Sequence, residues 1–271
     1  MNVNVHNINM HMKRYNIGAK EKVIFLHGFT GSSDTWKEVI TYLPSTVEVL
    51  TVDLVGHGQS SKPEQIKPYT TEEQIEALHE LLLQLKWSNF TLIGYSMGGR
   101  LALAYASKYP VAKLILESSS PGLASEDERV KRKRADELLA ERITNDGIVS
   151  FVDFWEGIPL FHSQKSLSLE KQQKIRAERL AGSEVGFSNS LRGFSTGVQP
   201  SYWDKLVNIK NPTILITGEL DQKFYDIAKE MQKLLPNCHH KQVNDVGHAI
   251  HVENAELFAT IVKDIILKED E

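Results

Sequence analysis

The sequence has 271 residues, of which 31 are basic and 35 acidic, and its formal net charge at pH 7 is -4. Because charges of both signs are interspersed, no sustained basic face is available to neutralise a phosphate backbone, and we expect no nucleic-acid partner. No apolar run approaches the roughly 20 residues that cross a bilayer. The first 20 residues also lack the apolar core of a signal peptide. We therefore expect a cytoplasmic protein without a membrane span.

The single cysteine, Cys238, limits the cysteine chemistry that the chain can support. One cysteine excludes a disulfide within the chain and offers no cysteine cluster for a metal ion. A structural thiol is the expected role of Cys238. The length is sufficient for one large domain, or for a domain that carries an insertion.

Short apolar segments alternate with longer amphipathic segments along most of the chain. Strands separated by helices form a parallel sheet, and nearly continuous apolar strands indicate that helices cover both faces of that sheet. Ligands are then expected at the carboxyl ends of the strands. In chain order, the predicted strands are KVIFLHG, VEVLTVDL, FTLIGYS, KLILESS and PTILITG.

The strand pattern is replaced by helical patterns between residues 121 and 202. Ser125 with Glu128 forms a capping box at a helix start, and Gly147 is suited to a helix end. A helical segment between two strands of a parallel sheet fits a lid over the strand ends, with surface decoration as the alternative. We predict an α/β core at residues 1–120 and 203–271 and a helical cap at residues 121–202.

The stretch Gly94-Tyr95-Ser96-Met97-Gly98 follows a predicted strand and precedes an Ala- and Leu-rich helical run. In that context G-x-S-x-G predicts a nucleophile elbow, a tight turn that exposes the serine at the start of a helix. A serine that merely caps a helix after a glycine turn is the alternative, and it needs no catalytic partner downstream. Candidate partners are present, so we predict that Ser96 is a nucleophile or a base.

A serine hydroxyl becomes reactive when an imidazole accepts its proton and a carboxylate orients that imidazole. In this arrangement the three residues follow the chain order serine, acid, histidine. Asp221 follows the predicted strand PTILITG, and His248 follows the next predicted strand. We therefore predict a triad of Ser96, Asp221 and His248. Glu219 is the alternative acid.

Negative charge that develops on a substrate oxygen requires fixed hydrogen-bond donors. The segment His27-Gly28-Phe29-Thr30-Gly31 follows the first predicted strand. Backbone N–H groups of Phe29 and Met97 are predicted to converge as an oxyanion hole. His27 is expected to brace this loop, and Asp53 is expected to stabilise a turn.

These segments together resemble the α/β-hydrolase superfamily over nearly the whole chain. The resemblance implies an α/β-hydrolase fold, in which a mostly parallel central sheet is flanked by helices and carries a helical lid. It leaves the reaction open, because members include esterases, peptidases, C–C bond hydrolases and lyases. The segments that carry the resemblance are HGFTGSSDTW, DLVGHGQS, GYSMGGR, GELD and VGHAIHVEN.

A narrower resemblance is to the 2-succinyl-6-hydroxy-2,4-cyclohexadiene-1-carboxylate (SHCHC) synthase family of menaquinone (vitamin K2) biosynthesis. It implies a carbon-oxygen lyase that eliminates pyruvate from 2-succinyl-5-enolpyruvyl-6-hydroxy-3-cyclohexene-1-carboxylate, a small tricarboxylate, without a metal or an organic cofactor. The segments that carry this resemblance are GYSMGGR, SPGL, RKRAD, FWEGIPLF and LRGFSTGVQPSYW.

The same resemblance implies a set of substrate-binding residues. A guanidinium near the nucleophile can bind a carboxylate through two hydrogen bonds, and aromatic residues can form a wall of the site. Helical spacing alone does not distinguish Arg132 from Arg134 as a substrate-binding residue. The spacing to the Gln199-Pro200 motif favours Arg179 over Arg176. The implied substrate-binding residues are Tyr95, Arg100, Arg132, Trp155, Phe161 and Arg179.

Two other classes of protein share these motifs. A serine carboxylesterase or a C–C bond hydrolase would use the same triad, and a mainly neutral, apolar pocket would favour it. A ligand-binding receptor of the same fold would retain the triad with negligible turnover. Arginines in the insertion argue against the first class, and an intact triad argues against the second.

Overall fold

The computed structural model describes residues 1–267, and within them the chain forms one eight-stranded sheet and nine α-helices. The last four residues of the predicted core, 268–271, lie outside the described residues. The strands are β1 (Asn2–Val5), β2 (Ile8–Tyr15), β3 (Glu21–Leu26), β4 (Val47–Val52), β5 (Thr91–Tyr95), β6 (Lys113–Glu117), β7 (Thr213–Gly218) and β8 (Cys238–Val243). The helices are α1 (Lys37–Thr41), α2 (Thr71–Gln84), α3 (Met97–Ala106), α4 (Glu126–Gly157), α5 (Leu169–Leu180), α6 (Glu184–Phe194), α7 (Gln222–Leu234), α8 (Ile250–Glu253) and α9 (Ala255–Leu267).

The sheet order is β1-β2-β4-β3-β5-β6-β7-β8, and every pair from β4 to β8 is parallel. The mostly parallel sheet predicted from the sequence is therefore confirmed. Strands β1 and β2 pair antiparallel at one edge and were not predicted. Their polar residues, as in INMHMKRY, interrupt the apolar runs by which the inner strands were recognised.

Alternate residues of each central strand pack on opposite faces of the sheet. Ile24 and Leu26 of β3 belong to one core cluster, whereas Val23 and Phe25 belong to the other. Helices α2 and α3 cover the first face, and α9 covers the second. Burial on both faces accounts for the continuous apolar character of these strands. Because β3, β5, β6 and β7 run parallel, their carboxyl ends lie at the same end of the sheet, where the loops begin.

The helical insertion, residues 121–202, contains α4, α5, α6 and a 3-10 helix at Pro159–Ser166. It encloses a small apolar cluster that includes Ile143 and Phe187. The Ser125 side chain accepts the N–H of Glu128 at 3.5 Å, as the capping pattern predicts. Gly147 has a positive φ of 80° and breaks α4 into two helical segments. The division into a core and a cap at these boundaries stays a prediction.

Within residues 1–267, no helix is both long enough and apolar enough to cross a membrane.

Candidate active site

Ser96 lies between the end of β5 and the start of α3, in a strained backbone conformation. Its φ is 50° and its ψ is -106°, a region that residues with a side chain rarely adopt. The turn requires close backbone contact, because a Cβ on Gly98 would lie 2.3 Å from the carbonyl oxygen of Leu26. The N–H of Ser96 donates to the carbonyl oxygen of Glu117 at 2.9 Å. Strands β5 and β6 therefore hold the serine at the edge of the sheet.

The structure brings the three predicted triad residues together. His248 Nε2 lies 3.1 Å from Ser96 Oγ, and His248 Nδ1 lies 2.6 Å from Asp221 Oδ2. His248 is 1% exposed and Asp221 is 6% exposed. A buried carboxylate at Nδ1 favours the tautomer with its proton on Nδ1, which leaves Nε2 free to accept the serine proton. The arrangement is able to activate Ser96 as a nucleophile or as a base.

The structure places Asp221 and Glu219 in different surroundings although both follow β7. Asp221 caps α7, since its Oδ1 accepts the N–H of Phe224 at 3.4 Å while Oδ2 contacts the histidine. Glu219 is exposed, and its Oε2 accepts the N–H of Asp245 at 3.0 Å. Only Asp221 of these two carboxylates contacts the His248 ring.

The backbone N–H groups of Phe29 and Met97 are available as donors. Neither donates a hydrogen bond to another residue in the part of the chain that the structure describes. Met97 is the first residue of α3, where N–H groups lack intrahelical acceptors and the helix dipole favours negative charge. Both residues line the same cavity as Ser96. These features are those required of an oxyanion hole.

A cavity of about 560 Å³ opens above Ser96 and His248, between the sheet edge and the helical insertion. Two buried polar groups on its wall, Trp155 Nε1 and Ser195 Oγ, have no hydrogen-bond partner among the described residues. Such groups are normally paired, so they are available to a polar ligand. The cavity contains five of the six residues implied for substrate binding, namely Tyr95, Arg100, Arg132, Trp155 and Phe161.

Arg100 presents part of its guanidinium to the cavity. Its Nη1 donates to the Phe194 carbonyl oxygen at 2.8 Å and to Gln199 Oε1. Its Nε and Nη2 make no hydrogen bond within residues 1–267. Burial, together with the charge of nearby Arg132, lowers the pKa of Arg100 to about 9. The side chain is therefore still a cation at neutral pH, with donors free for an anionic ligand.

Arg132 also lines the cavity. Its Nε lies 2.8 Å from both carboxylate oxygens of Asp136, and its side chain is 43% exposed. Arg134, which spacing alone left open, is exposed and does not line this cavity. Of these two arginines, Arg132 is therefore the one that lines the cavity.

The structure separates Arg179 from the main cavity. Its guanidinium lies 4.7 Å from the ring of Phe161, which lines the main cavity, whereas Arg179 itself does not. Arg179 donates to Gln164 Oε1 at 3.0 Å and to Glu156 Oε1 at 3.4 Å, and it lines an adjoining cavity of about 340 Å³. Arg176 contacts Asp153 and Glu156 and is likewise outside the main cavity. Burial lowers the pKa of Arg179.

Sequence reasoning missed several residues that the structure places in or behind the cavity. Lys223 of α7, two residues after Asp221, lies at the rim of the cavity. Gln199 accepts a hydrogen bond from the Arg100 guanidinium. Lys223 follows β7 and Asp221 closely in the chain, and this position could have indicated that Lys223 lies near the site. Ser195 lies inside a segment that the resemblance used, but nothing in the sequence marked it as unpaired. Among the described residues, no group of three or more His, Cys, Asp or Glu is arranged to hold a metal ion.

The profile of a family described as alpha/beta hydrolase fold matches residues 22–255. The chain belongs to that alpha/beta hydrolase family. The resemblance stated from the motifs is thereby confirmed.

Within the alpha/beta hydrolase family, proteins named for one activity are similar to this chain over nearly its full length. A Bacillus subtilis protein carrying the name 2-succinyl-6-hydroxy-2,4-cyclohexadiene-1-carboxylate synthase is 43% identical over 250 residues, which cover 92% of this chain and 91% of the relative. The synthase of that name from Photorhabdus laumondii is 31% identical and covers 90% of this chain and 84% of its own. The structure of MenH from S. aureus has a TM-score of 0.88 and 39% identity, over 93% of this chain and 96% of the other.

Proposed function

We propose that this alpha/beta hydrolase is an SHCHC synthase, a lyase of menaquinone biosynthesis. The reaction eliminates pyruvate from 2-succinyl-5-enolpyruvyl-6-hydroxy-3-cyclohexene-1-carboxylate. The observation that carries the proposal is the guanidinium of Arg100, which has unpaired donors in the cavity that holds the Ser96–His248 pair. The names of the relatives described above support the same reaction.

The charge of the cavity suits a tricarboxylate. Arg100, Arg132 and Lys223 line it, and Asp221 is its only acidic residue within the described part of the chain. Arg132 is paired with Asp136, so Arg100 and Lys223 are the cations of the wall that outnumber the single carboxylate of Asp221. An anionic substrate therefore meets a net positive surface, which a simple neutral ester does not require.

The first step of the proposed mechanism is removal of a proton from carbon. His248 accepts the proton of Ser96, and the serine oxygen removes the acidic hydrogen beside the succinyl ketone. Asp221 stabilises the imidazolium and keeps its orientation. Serine acts here as a base toward carbon, so no acyl-enzyme is formed.

The second step is expulsion of the leaving group. The N–H groups of Phe29 and Met97 stabilise the enolate that forms at the succinyl carbonyl. The electron pair then moves through the ring and breaks the carbon-oxygen bond to the enolpyruvyl group. The departing enolate takes up the proton that was removed and becomes pyruvate. The arginine contacts orient the carboxylates so that the breaking bonds are aligned.

The helical insertion is proposed to act as a lid over this reaction. It provides the aromatic wall of Trp155 and Phe161 and the cation Arg132. Closure of this lid over the strand ends would exclude water from the reaction. Arg179 is included in the proposed substrate site on the condition that Phe161 moves aside. In the arrangement described, Phe161 covers its guanidinium.

The test is a direct comparison of two substrate classes. Purified protein is mixed with the enolpyruvyl tricarboxylate, and pyruvate release is followed beside hydrolysis of a panel of neutral esters. We expect rapid pyruvate release that Ser96→Ala abolishes, with slow turnover of the esters. Ester hydrolysis without pyruvate release would identify a carboxylesterase. Tight binding of the tricarboxylate without product would identify a receptor. Either of these results overturns the proposed function.

A further inference from the structure

The carboxylate of Glu253 hydrogen-bonds to two parts of the molecule, the loop that carries His248 and the helical insertion. Its Oε2 accepts the N–H of Gly247 at 2.7 Å, and Gly247 directly precedes His248. Its Oε1 accepts the hydroxyl of Ser163 at 2.9 Å, and Ser163 belongs to the helical insertion. One side chain therefore contacts both the histidine loop and the insertion.

The segment that carries Ser163 also forms the wall over the histidine. Ser163 lies two residues after Phe161 in the 3-10 helix Pro159–Ser166. The ring of Phe161 lies 6.2 Å from the ring of His248, in an edge-to-face arrangement, and lines the main cavity. Within residues 1–267, the Ser163–Glu253 contact is the only hydrogen bond between this 3-10 helix and the core.

The contact is close as well as polar. A Cβ on Gly247 would lie 2.1 Å from Ser163 Oγ and 2.8 Å from Ser163 Cβ. The backbone of the histidine loop therefore packs directly against the Ser163 side chain, and a larger residue than glycine would displace that side chain. A displacement of the 3-10 helix removes both this packing and one of the two hydrogen bonds to Glu253.

We propose that Glu253 is a positioning residue. It couples the packing of the 3-10 helix Pro159–Ser166, here called the Phe161 segment, against the core to the placement of His248 against Ser96. When the segment packs against the core, Ser163 and Gly247 share the carboxylate, and the histidine loop is held from both sides. When the segment moves away, Glu253 keeps only its contact with Gly247, and the loop gains freedom. The expected effect on turnover rests on the proposed function, because turnover is measured as pyruvate elimination.

The test uses four variants and one kinetic distinction. Ser163→Ala removes the contact to the insertion. Ser166→Ala is the matched control, since among the described residues its hydroxyl bonds only to the Ser163 carbonyl within the same helix. Glu253→Ala removes both contacts. Glu253→Gln keeps them, because the amide oxygen accepts from Gly247 and the amide N–H donates to the Ser163 hydroxyl.

For pyruvate elimination we expect Ser163→Ala to lower kcat and to raise KM, with kcat/KM reduced on the order of tenfold. Glu253→Ala should lose at least as much, whereas Ser166→Ala and Glu253→Gln should stay near the original protein. In Ser163→Ala, a rise in KM with kcat unchanged would overturn the proposal. The contact would then contribute to substrate binding without affecting the position of His248. A Ser163→Ala variant with unchanged kcat and KM would also overturn the proposal, even if Glu253→Ala fails to fold.

Hydrogen exchange separates this proposal from the proposed function. In Ser163→Ala we expect faster amide exchange both in residues 158–167 and in residues 244–253, on the order of the same tenfold. This measurement needs no substrate, so it decides the coupling even if the protein releases no pyruvate. Faster exchange confined to residues 158–167, or no change in either segment, would overturn the coupling.

Discussion

The backbone N–H of Arg100 donates to the carbonyl oxygen of Ser96 at 3.0 Å, in the first turn of α3. This hydrogen bond ties a cation to the proposed catalytic base with no flexible segment between them. The elbow that exposes the serine therefore also determines where the guanidinium enters the cavity. A substrate carboxylate bound by Arg100 would be positioned relative to Ser96 by the geometry of one helical turn.

The first prediction is that Arg100→Ala lowers kcat/KM for pyruvate elimination by roughly tenfold to over a hundredfold. A hydrogen bond to a charged group contributes about 1.5 to 3 kcal/mol, which gives that range. Arg100→Lys should recover only part of the loss, because an ammonium keeps the charge without the planar pair of donors. Steady-state kinetics with the tricarboxylate measure both variants.

Two controls accompany the Arg100 variants. Arg142→Ala removes an arginine of α4 that lies outside the cavity, and it should leave the kinetics unchanged. Turnover of a small neutral ester and thermal melting should change little in Arg100→Ala. Equal losses on both substrates would indicate damage to the elbow, and no loss on either would remove Arg100 from the site.

The second prediction concerns the base. Ser96→Ala and His248→Ala should each lower pyruvate elimination by about a thousandfold or more, because the triad acts as a unit. Circular dichroism and thermal melting should show that both variants are folded. Turnover near that of the original protein in a folded Ser96→Ala variant contradicts the proposed role of this serine.

The third prediction ranks the two carboxylates that follow β7. Asp221→Asn should lose far more activity than Glu219→Gln, because the Asp221 carboxylate contacts His248 Nδ1 whereas Glu219 accepts a backbone N–H of Asp245. Measured kcat values on the tricarboxylate give the ranking. Each substitution keeps the size of its side chain, so each serves as the other's control. The opposite order would assign the acid to Glu219.

The fourth prediction is that stability falls as the pH is lowered below about 6.5, in part through His57. Burial, followed by the charge of His27, lowers the pKa of His57 from 6.5 to about 3. His57 Nδ1 donates to the Val55 carbonyl at 3.1 Å, and its buried Nε2 has no partner among the described residues. A proton added at Nε2 would therefore lack an acceptor in the folded protein.

The direction of this change in stability follows from the difference in proton binding between the folded and unfolded states. Between pH 6.5 and about 3 the unfolded chain binds a proton at His57 that the folded protein does not bind. The free energy of unfolding should therefore decrease by up to about 1.4 kcal/mol per pH unit in this window from His57 alone. Urea unfolding at pH 7.5, 6.5 and 5.5 measures it. His57→Asn should be less stable at pH 7.5 but show a shallower slope, and an identical slope would exclude His57 as a contributor.

Local sequence patterns were sufficient for the central sheet and for the elbow. Buried parallel strands such as β4 consist almost wholly of apolar residues, so their composition marks them without reference to other parts of the chain. G-x-S-x-G between a strand and a helix is likewise a local requirement, because the tight turn itself needs glycine. Strands β1 and β2 escaped prediction, since their polar residues and edge position produce no such pattern.

The sequence by itself determined the fold class, the candidate serine and histidine, and a pair of candidate acids, because each depends on residues close together in the chain. Tertiary structure decided which acid contacts His248, since Asp221 and Glu219 follow the same strand and differ only in how the loop turns into α7. It also decided that Phe161 covers Arg179 and that Glu253 connects Ser163 to Gly247. Those contacts join segments far apart in sequence, and only packing between separate elements brings them together.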